Sequence, residues 1–211
     1  LVVTGAGEIW VQANQPGDNA YNPAPAVTRV LRVGAVPQTL EFAALGRAMY
    51  GDLPVRLPAT ASSGLAPSFA VVSGPGQIVG DQLTINGAGE IVVRASQAGN
   101  TNTQPAEEKE QTLVVGTKPL TVAVRAASRG YGQPNPVFAY DYTGWVAGDT
   151  AGAITAPTAT TSATLTSVPG SYAVSLSGGS AGNYTLIRVD GLMTIVRGEQ
   201  SLTFPAPLNQ A

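Results

Sequence analysis

The chain has 211 residues, of which 44% are hydrophobic and only 11% charged, and its formal net charge is -2. That balance supplies a core but no basic face, which excludes a nucleic-acid partner and electrostatic binding to an anionic membrane. With no Cys and no His, it excludes disulfides, thiolate metal sites and a Ser-His-Asp triad.

Leu1 to Gly34 aligns without a gap on Leu83 to Gly116 at a constant offset of 82, with 15 of 34 positions identical. A fixed period of this kind marks a tandem array. Residues 1–34 therefore read as the C-terminal half of a module. Within them Gly7-Glu8-Ile9-Trp10-Val11-Gln12-Ala13 alternates, with Ile9, Val11 and Ala13 on one face, which is the pattern of a half-buried strand. Gln15-Pro16-Gly17-Asp18-Asn19 is a turn, and Arg29 to Val33 a closing strand.

A complete module spans 38–116. Thr39 to Phe42 opens it, Met49-Tyr50-Gly51-Asp52-Leu53-Pro54 and Val55 to Ala59 follow, and Pro67 to Ser73 is a further strand. Gly80-Asp81 joins Gln77-Ile78-Val79 to Gln82 to Ile85 as a tight hairpin. The repeated half then ends the module, with Glu107-Glu108-Lys109-Glu110 as a solvated loop.

A second module spans 118–197. Its Tyr131-Gly132 lies 81 residues after Tyr50-Gly51. Tyr50 and Tyr131 read as corner tyrosines that pack a ring and bond backbone through the hydroxyl. Gly51 and Gly132 read as positions of positive φ or close approach. Residues 143–150 form a loop with room for one helical turn. Asp190-Gly191 reads as a two-residue hairpin between Tyr184 to Val189 and Leu192 to Val196.

Residues 200–211 read as the first strand of a further, truncated module, because Gln200 to Phe204 echoes Gln38 to Phe42. No segment keeps a helical period. Short strands separated by Gly, Pro, Asn and Asp imply an all-β protein of tandem β-sandwich modules, and the short connections imply that these stand end to end.

Two residues stand out as interaction candidates, Trp10 and Trp145. Each reads either as a ring to stack on a sugar or a partner chain, or as cover for a module junction. No set of residues in the sequence has the pattern of a catalytic, cofactor-binding or metal site. Glu8 and Glu90 are repeat positions, not an acid pair facing a cleft. The Gly-Ala-Gly-Glu runs at 5–8 and 87–90 precede strands where a phosphate loop needs a helix. The scattered Asp residues form no calcium loop, and no apolar run reaches the roughly 20 residues that span a bilayer.

Tyr131-Gly132-Gln133, Tyr142-Thr143-Gly144-Trp145-Val146-Ala147-Gly148-Asp149, Val168 to Tyr172, Ala181-Gly182-Asn183-Tyr184-Thr185 and Val189-Asp190-Gly191 resemble the MBG repeat of the YGX type, found in large bacterial surface proteins. Residues 38–116 are similar to the bacterial Ig-like repeats that accompany it, through Tyr50-Gly51-Asp52, Ala59 to Leu65 and Ala95 to Asn100. Thr103 stands where that family has an aromatic, which Tyr21 supplies in the half copy. The resemblance implies a cell-surface or secreted adhesin-like protein of a bacterium, with these repeats as stalk or spacer and no catalysis. It leaves open a fibre or sheath subunit built by strand complementation, and an adhesin module that holds a glycan or host protein. The partners it implies are neighbouring modules; other copies of the chain enter as an alternative, because strand 200–204 of one copy has the pattern to complete the half module at 1–34 of another.

Overall fold

The computed structural model describes residues 2–204, whose regular elements are all β-strands apart from one 3₁₀ turn at Ala151–Ala153. The chain divides into two compact units. One is Leu1–Ala48 with Asp52–Val115; the other is Met49–Gly51 with Gly116–Ala211.

The first unit opens with β1 (Gly7–Gln15) and β2 (Ala24–Val33), a two-stranded antiparallel ribbon. After it come β3 (Leu40–Phe42), β4 (Arg47–Met49), β5 (Val55–Arg56), β6 (Ala59–Ala61), β7 (Ser68–Ser73), β8 (Gly76–Val79), β9 (Gln82–Ile85), β10 (Gly89–Ser96) and β11 (Lys109–Gly116). They form a sheet of order β4-β11-β10-β7, a sheet of order β5-β9-β8 and the pair β3-β6. The Gly80-Asp81 hairpin forms between β8 and β9, with Gly80 at φ 63°. Alternation decides which side chains enter the core. In β10, Ile91, Val93 and Ala95 are buried; in β11, Leu113 and Val115; from the other strands come Leu40, Phe42, Leu83 and Ile85. Phe42 and Phe69 meet with ring centroids 5.8 Å apart.

The sequence repeat is a structural repeat, pair by pair. Gly7 faces Val33, Ile9 faces Leu31 and Ala13 faces Val27; 82 residues on, Gly89 faces Val115, Ile91 faces Leu113 and Ala95 faces Lys109. Burial does not repeat. Leu113 is 1% exposed and its counterpart Leu31 is 42% exposed. The expected half-buried strand at 7–13 is a strand, but Val11 and Ala13 on its apolar face are open. The reason is physical: the half copy has strands equivalent to β10 and β11 and, among the described residues, no sheet equivalent to β5-β9-β8 over them.

In the second unit, β12 (Lys118–Val124), β13 (Ala127–Gly130), β14 (Tyr140–Thr143), β15 (Ile154–Thr155), β16 (Thr158–Thr161), β17 (Gly170–Ser177), β18 (Ser180–Ala181), β19 (Tyr184–Val189) and β20 (Gly191–Val196) follow in order. One sheet has the order β14-β12-β19 and the other β13-β20-β17-β16, with β15-β18 as a separate pair. Val124, Val174, Met193 and Ile195 fill the space around which Phe138, Tyr140 and Tyr172 pack.

The hairpin expected at Asp190-Gly191 is not one. β19 pairs with β12 and β20 pairs with β13 and β17, so the chain changes sheet at this corner. The residues fit the corner for other reasons. Asp190 Oδ1 accepts the Leu176 N–H at 2.8 Å. A Cβ on Gly191 would lie 2.8 Å from Val124 Cβ, so the absence of a side chain permits the crossing.

Two short connecting stretches are built alike. Val36 N–H donates to the Asn102 carbonyl at 2.8 Å, and Lys118 N–H donates to the Asn183 carbonyl at 3.0 Å. In each, a proline follows at the next position, Pro37 or Pro119. Residues 200–204, expected to begin a further strand, carry no strand structure and find no sheet partner among the described residues; the remainder of that expectation, to 211, lies outside the described residues.

Candidate functional site

The densest grouping of polar and aromatic chemistry lies in the second unit, where β14 ends. Gly144 has φ 110°, and a Cβ there would stand 2.7 Å from the Pro119 carbonyl. Only glycine lets the chain turn this tightly against β12. The turn lays Trp145 beside Tyr142, at 5.5 Å between centroids, and edge-on to Tyr184 at 5.3 Å. Val146 and Asp149 close a tight turn, the Asp149 N–H donating to the Val146 carbonyl at 3.0 Å.

Asp149 is the hub. Tyr50 Oη donates to its Oδ2 at 3.0 Å, and Tyr184 Oη donates to the same oxygen. Tyr184 Oη in turn accepts the Val146 N–H at 3.0 Å. The Tyr50 and Tyr184 rings meet edge to face, 5.5 Å between centroids. Beside Tyr50, Gly51 has φ 89°, and a Cβ on it would lie 2.5 Å from Val146 Cγ2.

Burial pushes the Tyr184 phenol up to about 12, and the hydrogen bond to Asp149 adds to the rise. Burial and then Asp149 raise Tyr50 in the same way. Tyr142 is raised by burial, with Tyr140 adding to it. At neutral pH these phenols hold their protons, and those of Tyr50 and Tyr184 donate to Asp149. The arrangement is a pair of neutral donors on one carboxylate, which fixes geometry and presents no nucleophile.

Of the residues singled out in the sequence, Tyr50, Gly51 and Trp145 come together here, and Trp145 is half-buried. Trp10 stands in the first unit, on β1, 67% exposed. Tyr131-Gly132 lies elsewhere in the second unit. The corner expectation needs correction. The Tyr50 hydroxyl bonds a carboxylate, and Tyr131 is 48% exposed. The hydroxyl that bonds backbone a few residues upstream is that of Tyr172, on the Val168 carbonyl at 2.9 Å. Asp149 and Tyr184 were missed as partners. Their signal was the Gly-Trp-Val-Ala-Gly-Asp and Asn-Tyr stretches, whose separation hides that they meet.

A second buried polar site lies at the other sheet. Arg129, on β13, is buried and donates to Asn135 Oδ1 at 2.7 Å, to the Gly130 carbonyl at 3.1 Å and to the Thr164 carbonyl. All three are neutral acceptors, so dipoles hold the guanidinium here. Among the described residues no group of three or more His, Cys, Asp or Glu is placed to hold a metal ion, and no helix is long and apolar enough to cross a membrane.

Solved structures with a similar arrangement include the N-terminal four Ig domains of Dscam1 isoform 6.9, at 15% identity over 82% of this chain and 51% of that one, TM-score 0.36. The same domains of Dscam1 isoform 9.44, with zinc, give 14% identity, 82% and 51% coverage and a TM-score of 0.33. Drosophila N-cadherin EC1-4 gives 13% identity, 90% and 58% coverage and a TM-score of 0.28. The chain thus spans little more than half the length of these proteins, and likeness this remote carries no functional argument. No curated protein matches the sequence. Residues 120–194, which supply Asp149, Tyr184 and Trp145 and most of both sheets around them, match the MBG domain (YGX type), so an MBG-type domain lies in the second unit.

Proposed function

We propose that the chain is a spacer segment of a large extracellular surface protein of a bacterium, in which β modules in series hold another part of the protein away from the cell. In this reading 1–34 is half a module, 38–116 and 118–197 are whole ones, and 200–211 starts another. The observation that carries it is the repeated joint: Val36 on Asn102 and Lys118 on Asn183 make the same backbone bond, each next to a proline. A joint repeated at fixed spacing serves extension, whereas a binding site would be built once. Small-angle scattering on chains carrying one, two and three copies of 118–197 tests this. Equal increments in maximum dimension are expected; a dimension that stops growing overturns the reading.

A fibre or sheath subunit is a second reading, favoured by one observation. The apolar face of β1 and β2 is open, while Leu202 and Phe204 are almost fully exposed although their counterparts Leu40 and Phe42 are core. Residues 200–204 of one copy would add to the sheet of the next. Light scattering that rises with concentration, and falls back with Leu202→Asp, supports it; a monomer at all concentrations sinks it. For a glycan or protein ligand, Trp10 is the open aromatic, and a glycan array read against Trp10→Ala is its test.

A further inference from the structure

Tyr50-Gly51 and Tyr131-Gly132 are equivalent in backbone and opposite in use. Tyr50 N–H donates to the Gly116 carbonyl at 2.9 Å, and Tyr131 N–H donates to the Val196 carbonyl at 2.9 Å. Gly51 has φ 89° and Gly132 φ 78°. Each dipeptide is therefore held in the same pose by the last strand residue before a linker. Yet Tyr50 is 8% exposed and Tyr131 48%. A Cβ on Gly51 would strike Val146, whereas one on Gly132 would meet nothing within 4 Å. Tyr131 borders an open groove of about 530 Å³, walled by Val168, Pro169, Arg197, Gly198 and Gln200.

We infer that Tyr131-Gly132 is a docking peg, shaped to enter a further module of this kind through a socket with the chemistry of Asp149, Tyr184 and Val146. The filled copy in the same unit is the template. A carboxylate receives the phenol, a second ring meets it edge-on, and a branched aliphatic side chain closes over the glycine where no Cβ stands. A second copy of this chain does not offer that socket, because its own Tyr50 fills it. The occupant is a module of this type joined directly after the peg. The first module offers no such socket either: it has Thr103 at the position of Tyr184. The inference rests on the tandem-array reading and assigns its joint a specific lock.

The test is the full chain with residues 117–196 repeated directly after Val196, so that Tyr131 stands to the appended copy as Tyr50 stands to the first. Nitration by tetranitromethane, read by peptide mass spectrometry, reports phenol access. In the parent chain Tyr131 reacts at a rate comparable to exposed Tyr21. In the extended chain it slows at least about tenfold, while Tyr21 is unchanged. Asp149→Asn in the appended copy, or Gly132→Val, restores the rate. Tyr131 reacting equally in both chains, with the appended copy folded by amide exchange, overturns the inference. An appended copy that fails to fold overturns it too, since the peg would then give no support of the kind Tyr50 gives. Scattering on the same chain separates the readings: a lengthened particle with Tyr131 still reactive removes the peg and leaves the spacer.

Discussion

Tyr50 and Asp149 are 99 residues apart in sequence and joined by a hydrogen bond of 3.0 Å within the second unit. The bond helps to hold Met49–Gly51, a tripeptide flanked in sequence by the first unit on both sides, within the second. Removing the hydroxyl alone should therefore be read out in the second unit. Tyr50→Phe keeps the edge-to-face ring contact with Tyr184 and leaves Asp149 its other donor. A loss of about 1.5–3 kcal/mol is expected, the range for hydrogen bonds to charged groups. Urea unfolding followed by Trp145 fluorescence measures it; an unchanged midpoint would show that the bond contributes nothing.

Alkaline pH should act through the same cluster. Tyr184 is pushed up to about 12 in the fold, against about 10 for a free phenol. Below pH 10 both states are protonated and the contribution is fully present. Between about 10 and 12 the unfolded chain loses its proton first, so folding stability falls as pH rises, at up to about 1.4 kcal/mol per pH unit for this group. Tyr184→Phe should flatten that slope. Denaturation midpoints from pH 9 to 12 on both proteins check it.

Gly51→Ala and Gly132→Ala should differ although both glycines have positive φ. Each pays the strain of a left-handed residue, about 1–2 kcal/mol. Only Gly51 also drives a methyl into Val146 Cγ2. The Gly51 variant is expected to be the less stable by at least about 1 kcal/mol, measured in the second unit's transition. Equal effects would mean that the close approach is relieved by movement of Val146.

Leu31→Ala and Leu113→Ala remove the same side chain from repeat-equivalent positions. Leu113 is core, and its loss should cost about 2–5 kcal/mol. Leu31 lies on the open face, and its loss should cost less than about 1 kcal/mol. Amide exchange in β1–β2 and β10–β11 reads the two sites separately. A large effect at Leu31 would mean that something covers the face in solution.

Arg129→Ala strands Asn135, the Gly130 carbonyl and the Thr164 carbonyl without their donor. A loss of at least about 3 kcal/mol is expected. Arg129→Lys should not rescue it, because one ammonium cannot span three acceptors set around a planar guanidinium. Thermal unfolding of both variants is the measurement.

Local rules carried the strand pattern a long way. The offset of 82 carried over to the register of β1 and β2, and Gly80-Asp81 made its hairpin. Where local pattern misleads, the deciding contact is distant. Asp190-Gly191 looks like a hairpin turn from its neighbours, yet the strands on either side find β12 and β17 instead. Val11 has the pattern of a core residue and no sheet to cover it. Tyr50 and Tyr131 share a motif, and nothing local tells which hydroxyl meets a carboxylate. The Asp149 hub unites Tyr50 and Tyr184 across long stretches of chain, beyond the reach of spacing arguments.

The parallel pairing of β12 with β19 and of β13 with β20 has a mechanical consequence. The first strands of the second unit lie alongside its last strands and run in the same direction. Tension applied at the two ends therefore loads these hydrogen bonds in shear, all at once, instead of unzipping them singly from one end. A domain wired in this way should hold under a sustained pull, with rupture governed by the barrier to that concerted slip rather than by equilibrium stability.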